Sequence, residues 1–319
     1  MEALGLPGVA EIRRAADRLA GVADHTPMLR LASAPDSSIA IKAECLQPTG
    51  SFKVRGAGNL LSHLPGDRPP FVYTASAGNM ALAMAWHAER LGIRAVAIVP
   101  ETAPAAKTAR IADLGAEVVS VPFDAWWQAM VDGGSAAFAD GLFVHPFCDP
   151  AVIAGNAVIG LEIAAQEPGV DAVVVPFGGG GLVLGVYLGL RAAGCTAPVY
   201  AAEVETAAPF ALARAAGHPV EPDRARSFVD GIGGRAVFAQ IWPHAEQNLA
   251  GSVVVSIAET AAALRLVARE TKLLVEGAAA AAVAAARKLQ DTHARIVVVG
   301  SGGNIDHDVV ARILTGADA

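Results

Sequence analysis

Leu46-Gln47-Pro48-Thr49-Gly50-Ser51-Phe52-Lys53-Val54-Arg55-Gly56 is the stretch around which the rest of the chain is organised. Pro48-Thr49-Gly50 breaks the extended run Ala40 to Glu44, and Ser51 reads as the N-cap of a helix carrying Lys53 and Arg55. Lys53 then lies in a first helical turn, where unpaired N–H groups and the helix dipole disfavour an ammonium. A lysine with a depressed pKa can act as a nucleophile or form a Schiff base with a carbonyl group. An ordinary exposed helix lysine is the competing reading, and the neighbouring motifs decide between the two.

Three loops share one geometry. Phe71 to Thr74 reads as a buried strand leading into Ser76-Ala77-Gly78-Asn79, with a helix from Met80 to Leu91 behind it. Asp171 to Phe177 runs into Gly178-Gly179-Gly180-Gly181 and the helix Leu182 to Ala193. Arg295 to Val299 ends at Gly300-Ser301-Gly302-Gly303-Asn304. Loops at the carboxyl ends of parallel strands are where open α/β sheets bind ligands. Four successive glycines before a helix gather several backbone N–H groups with no side chain to exclude an anion, which makes a phosphate cradle. No Lys-Ser/Thr pair follows, and Val183 occupies the third position of a dinucleotide glycine pattern, so a single monophosphate fits better than a nucleotide. Glu203 is nevertheless spaced to imitate the ribose-binding acid of a dinucleotide enzyme.

Between these motifs the strands Arg94 to Val99, Glu117 to Val121 and Leu142 to His145 alternate with helices over Ala105 to Leu114 and Phe123 to Phe138. This predicts a small parallel unit over residues 71–148, inserted between residues 1–70 and 149–319 of a larger domain. The predicted fold class is α/β, with two open, mostly parallel sheets covered by helices on both faces. Pro65 to Pro70 is a linking turn cluster, a helix is expected from Ala154 onward, and Ala-rich 277–288 is a closely packed helix preceded by Glu276.

The 319 residues are 53% hydrophobic and 17% charged, which describes folded domains rather than disorder. A net charge of −7 without a basic run argues against nucleic acid and anionic membrane as partners, leaving a small molecule. Cys45, Cys148 and Cys195 form no paired motif and read as buried free thiols of a reducing compartment. Met1 to Pro7 has no signal-peptide pattern, and Gly277 to Ala286 is too short to span a bilayer, so a cytoplasmic location is expected.

A reactive lysine, a phosphate cradle and polar contacts for a ring describe pyridoxal 5′-phosphate better than a nucleotide. In these ordered motifs, from Thr26-Pro27 to Asn304, the chain resembles the fold-type II pyridoxal-phosphate enzymes, the tryptophan synthase β-like group that includes threonine/serine dehydratases and serine racemases. The resemblance implies that Lys53, beside Phe52, forms the covalent link to the cofactor and that Asn79 bonds its ring hydroxyl. It places the phosphate on Gly178, Gly179, Gly180 and Gly181, the pyridine nitrogen on Ser301, and the substrate carboxylate on Ser76, Ala77, Gly78 and Asn79. A homodimer is the expected assembly.

Departures from the family pattern carry further expectations. Met80, Leu82, Cys148 and Gly155-Asn156-Ala157-Val158 stand where similar dehydratases have more polar residues, which points to a bulkier, less polar β-hydroxy amino acid beside threonine or serine. Racemases of the group carry a serine where Ala77 stands, so elimination of water and ammonia to a 2-oxo acid is expected over racemisation. Pro209 replaces a metal-binding carboxylate of related chains, so no metal is expected, and feedback control through an ACT-like extension is not expected either. Ser301, a neutral hydroxyl, would withdraw electrons through the ring only mildly. The alternatives are a racemase, a dinucleotide-binding oxidoreductase using Gly178 to Gly181 with Glu203, and a non-catalytic binding protein in which Lys53 only neutralises an anion.

Overall fold

In the computed structural model, which describes residues 4–32, 38–64 and 68–316, ten strands form two sheets. In chain order they are β1 Met28–Arg30, β2 Ser38–Lys42, β3 Phe71–Ala75, β4 Arg94–Pro100, β5 Glu117–Val121, β6 Leu142–Phe143, β7 Ala172–Pro176, β8 Val199–Val204, β9 Gly251–Val255 and β10 Arg295–Val299. The larger sheet has the order β1-β2-β10-β7-β8-β9 and the smaller β5-β4-β3-β6. Every described pairing is parallel except that of β1 with β2. Within the opening stretch 1–7 and the turn cluster 65–70, residues 1–3 and 65–67 lie outside the described residues.

β7 is buried along its length because helices cover both faces of its sheet, which is why its sequence is continuously apolar rather than alternating. Val174 and Val298 point into one core with the Ala-rich helix Gly277–Lys288. Val173, Val175, Val297 and Val299 point into the other, against the helices Pro150–Gln166 and Gly181–Ala192. In the smaller sheet Val72, Ala97 and Val99 pack beneath the helix Asn79–Leu91, while Tyr73, Val96 and Ile98 face Trp126 and Phe138. Among the described residues no helix is long and apolar enough to cross a membrane.

Helix Pro150–Gln166 is the common wall of the molecule. A Cβ at Gly160 would collide with the Val186 carbonyl, and one at Gly189 with the Ala157 carbonyl, so this helix and Gly181–Ala192 approach backbone to backbone. A Cβ at Gly155 would likewise collide with the Arg55 carbonyl, and one at Gly56 would come within 2.8 Å of Val152. The helix Lys53–Leu61 is thus held against the same wall as the helix that opens at the glycine loop. Asp149 caps the wall helix by accepting from the Ala151 and Val152 amides, and Pro150, preorganised for the first position, starts the helix four residues before the Ala154 expected from sequence.

Several local expectations need correction. The helix expected over Phe123 to Phe138 ends at Asp132, where Gly133 takes a left-handed conformation (φ 71°), and only a short turn follows at Ala136–Phe138. The strand expected over Leu142 to His145 is confined to β6, because the His145 side chain organises the next turn. The three cysteines are free but half-buried rather than buried.

Candidate active site

Lys53 begins its helix, but Ser51 does not cap it: no side chain caps this helix, and Ser51 Oγ has no hydrogen-bond partner. Ser51 is instead drawn into a bridge with Gly302. Phe52 N donates to Ser301 O (2.9 Å), Gly303 N to Gly50 O (2.9 Å), and Cys45 N to Gly300 O (2.9 Å). These backbone bonds, rather than a cap, fix the lysine turn against the Ser-Gly-Gly turn.

Lys53 is half-buried and donates from Nζ to the Pro146 carbonyl at 2.6 Å. Burial lowers its pKa to about 8, outweighing the pull of Glu276 in the opposite direction. The depression expected from the helix terminus therefore has desolvation as its main cause. Pro146 belongs to a turn held by His145, whose Nδ1 accepts from the Phe147 and Cys148 amides (3.2 and 3.0 Å) while Nε2 donates to Met130 O (3.1 Å). Burial lowers the His145 pKa to about 4, so the ring stays neutral in that tautomer. Cys148 lies near Lys53, but burial raises its thiol to about 12, and it is not a nucleophile at neutral pH.

The glycine loop is shaped for an anion and a wall at once. Gly180 has φ 88°, a Cβ at Gly179 would fall on the Phe147 ring, and one at Gly181 would stand 2.5 Å from the Phe147 carbonyl. Among the described hydrogen bonds none is donated by the amides of Gly178, Gly179, Gly180 or Gly181. Side-chain-free donors at a helix N-terminus fit a phosphate. Lys53 and this loop meet through one turn, since Pro146 accepts from the lysine and Phe147 covers Gly179.

Asn79 starts its helix and joins the same cluster. Its Nδ2 donates to Glu276 Oε2 (2.9 Å), and its Oδ1 accepts from Asn304 Nδ2 (2.7 Å). Arg110, on the helix Ala105–Asp113, donates to Asn304 (2.9 Å) and ties that network to the smaller sheet's side of the molecule. Ser301 Oγ lies 3.3 Å from Glu276 Oε1. In the loop after β3, Ser76 Oγ accepts from Gly78 N (3.2 Å), Ala77 is half-buried, and Gly78 is open, with nothing near the place of a Cβ.

Sequence reasoning noticed Glu276 only as the residue before a helix. A lone carboxylate directly after Leu273-Leu274-Val275 and before an apolar helix was the available signal. Pro146 and Phe147 carried no comparable signal. Met80 and Leu82 are buried in the core under the smaller sheet, and Asn156 is buried, donates to the Gly181 carbonyl (3.2 Å) and has no partner at Oδ1. Glu203 accepts from the Phe210 and Ala211 amides and from Ser252, which commits its carboxylate to capping the helix Pro209–Ala216 and removes it as a ribose ligand. A surface cavity of about 510 Å³ beside Glu205 and Asp223 includes none of the candidate residues, whereas one of about 220 Å³ includes His145 and Cys148.

Residues 20–302 match the family described as pyridoxal-phosphate dependent enzyme. The chain is 35% identical to an L-threonine ammonia-lyase of Thermotoga maritima over 89% of its own length and 71% of the relative's. It is also 35% identical to the serine racemase of Mus musculus, over 83% and 81% of the two chains. Among solved structures, the T.th. threonine deaminase superposes with a TM-score of 0.86 at 31% identity, covering 94% of this chain and 99% of that one. Maize serine racemase superposes with a TM-score of 0.88 at 26% identity, covering 98% of each chain.

Proposed function

Because the chain belongs to the pyridoxal-phosphate-dependent enzymes, we propose that it is an ammonia-lyase that converts a β-hydroxy amino acid, threonine or serine or a bulkier analogue, to a 2-oxo acid and ammonia. The observation that carries this reading is the meeting of a half-buried lysine, its pKa near 8, with a loop of uncommitted glycine amides. The bound cofactor supplies the electron sink for breaking the Cα–H bond. Gly178 to Gly181 hold its phosphate, Asn79 its ring hydroxyl and Ser301 its pyridine nitrogen, and Phe52 packs beside Lys53.

Lys53 is both anchor and base. With a pKa near 8 a useful fraction of the amine is unprotonated at neutral pH and can take the Cα proton at Nζ. The Pro146 carbonyl orients that amine, and the Ser76-Ala77-Gly78-Asn79 loop, opening a helix N-terminus, receives the substrate carboxylate. Ala77 offers no proton donor on the face opposite Lys53, which favours elimination over the racemisation named for several relatives.

The same reading takes residues 1–70 and 149–319 as a large cofactor-binding domain and 71–148 as a small one, matching the membership of the two sheets. It takes the protein as a cytoplasmic homodimer. Exposed Leu46 and Leu274, which flank Cys45 and Gly303, supply an apolar face for a second copy. Screening β-hydroxy amino acids for oxo-acid release tests the proposal. Release from at least one member of the panel is expected, and none from any, with cofactor bound, would refute it.

A further inference from the structure

Asn304 carries a chain of hydrogen bonds whose direction follows from its partners. Its Nδ2 donates twice, to Thr49 O (2.8 Å) and to Asn79 Oδ1 (2.7 Å), which spends both amide hydrogens. Thr49 O is a backbone carbonyl and can only accept, so the amide cannot sit the other way round and Oδ1 is left to face a donor. That donor is Arg110, whose Nη2 reaches Oδ1 at 2.9 Å. Gly50, left-handed at φ 72°, keeps the place clear, since a Cβ there would stand 2.7 Å from Oδ1. Asn79 is fixed in turn. Its Oδ1 is taken by Asn304, its Nδ2 gives one hydrogen to Glu276 Oε2 (2.9 Å), and among the described hydrogen bonds the other Nδ2 hydrogen is uncommitted.

We infer that Arg110 is a positioning residue for the cofactor ring: through Asn304 it keeps the free N–H of Asn79 as a donor for the ring hydroxyl, which favours the ionised form of that oxygen. The inference rests on the assignment of Asn79 to that hydroxyl. A guanidinium bonded to an amide oxygen polarises the amide and makes its N–H groups stronger donors, and the effect passes along the chain from Asn304 to Asn79. A hydrogen bond donated to an ionisable oxygen stabilises its charged form. Arg110 itself is exposed and lies on the helix Ala105–Asp113, beside β5 of the smaller sheet, whereas Asn304 follows β10 of the larger one. The smaller sheet's side of the molecule thus acts on the ring without any atom of Arg110 meeting cofactor or substrate.

The same helix supplies its own control. Lys107, one turn before Arg110, pairs with Asp230 on the larger sheet's side. Both of those side chains are partly exposed, so solvent screens the pair and it adds little to stability. Lys107 bonds neither Asn304 nor Asn79 among the described hydrogen bonds. Removing it loosens the seating of the helix and leaves the relay whole.

The test measures, in holoenzyme at one pH, the ratio of the cofactor's long-wavelength absorbance band to its short-wavelength band, which reports the ionised against the protonated ring hydroxyl. Arg110→Ala should shift that ratio about threefold toward the short-wavelength band, the size of one partly exposed charge-assisted bond. Arg110→Lys should restore part of it, Lys107→Ala should leave it at the wild-type value, and the unfolding midpoint of cofactor-free Arg110→Ala should be unchanged. Asn304→Ala should shift the ratio as well, and Arg110→Ala added to it should shift it no further. If Asn79→Ala leaves the ratio unmoved, the assignment of Asn79 is wrong and the inference falls with it. If Asn79→Ala moves the ratio and Arg110→Ala does not, or if Lys107→Ala moves it as far as Arg110→Ala, the inference alone is overturned. Should Asn79→Ala or Asn304→Ala lose the cofactor, Arg110→Ala against Lys107→Ala still decides.

Discussion

Lys53 and Arg55 lie two residues apart on one helix and are treated in opposite ways by the fold. Arg55 is fully buried and fully paired: it donates to Glu44 from Nε (2.8 Å) and Nη2 (2.9 Å), to Glu162 (2.7 and 2.9 Å), and to the Asp24 carbonyl (3.0 Å). Lys42 closes the cluster by donating to Glu162, Gln166 and the Thr26 carbonyl. Arg55 keeps its charge, and its attraction holds the Glu44 carboxyl below the usual range although burial pushes that group up. Around Lys53 the balance reverses. Burial without a matched partner moves Lys53 and Glu276 toward neutrality, to about 8 and about 7. Saturated charge fixes the position of a helix, whereas under-satisfied charge leaves protons available for chemistry.

The contrast is broken most severely at Lys53. Lys53→Ala should lower turnover by about ten-thousand-fold, the upper range for loss of a positioned acid or base, and remove the visible band while leaving circular dichroism unchanged. Oxo-acid release at a near-normal rate would show that another group is the base. Arg55→Met should do the reverse. It strands the buried Glu44 and leaves Glu162 to Lys42 alone, costs about 3–5 kcal/mol of stability in urea unfolding, and spares the chemistry of whatever remains folded. An unchanged unfolding midpoint would mean that the cluster is decorative.

The cradle is sharpened by Gly179→Asp, which adds a carboxylate among phosphate-seeking amides and a Cβ where the Phe147 ring lies. Cofactor retention after dialysis should drop by tenfold or more, and full retention would exclude this loop as the phosphate site. A pH series on cofactor-free protein separates the two regions more gently. Glu276 binds its proton more tightly folded than unfolded, so the stability it contributes is complete below its usual value of 4.5 and is lost as pH rises through about 7. Lys53 behaves differently: its folded value lies below 10.5, so stability returns as pH rises from about 8 toward 10.5. Glu44 contributes above 4.5 and is lost as pH falls. Glu276→Gln should therefore gain on wild type in urea midpoint above pH 7, and parallel curves would contradict the buried acid.

The smallest effect is expected at Ala77. Ala77→Ser places a hydroxyl on the face lacking a proton donor, and chiral chromatography should show a slight rise in racemised substrate beside unchanged oxo-acid release. Racemisation by wild type at a rate comparable with elimination would mean that another residue supplies the second proton.

Much of this was legible from strand-to-loop junctions. The glycine run after β7 and the lysine after Pro48-Thr49-Gly50 are local features, and backbone chemistry makes them readable one at a time. Glu276 and Phe147 were not, because their roles come from contacts between residues far apart in the chain: Glu276 with Asn79, Phe147 with Gly179. Ser51 was misread as a cap for a related reason. Its local pattern is that of an N-cap, but pairing with Gly302 across the site overrides it. Met80 and Leu82 are apolar as read from the sequence, and their side chains lie in the core under the smaller sheet.

Where Gly155 meets the Arg55 carbonyl, and where Gly160 and Gly189 press one helix on another, descent has little room to wander. Even alanine is refused, so backbone contact alone sets the angle between the lysine's helix and the helix of the cradle. Cys148, by contrast, meets its surroundings through its side chain, packed half-buried against the core of the larger sheet.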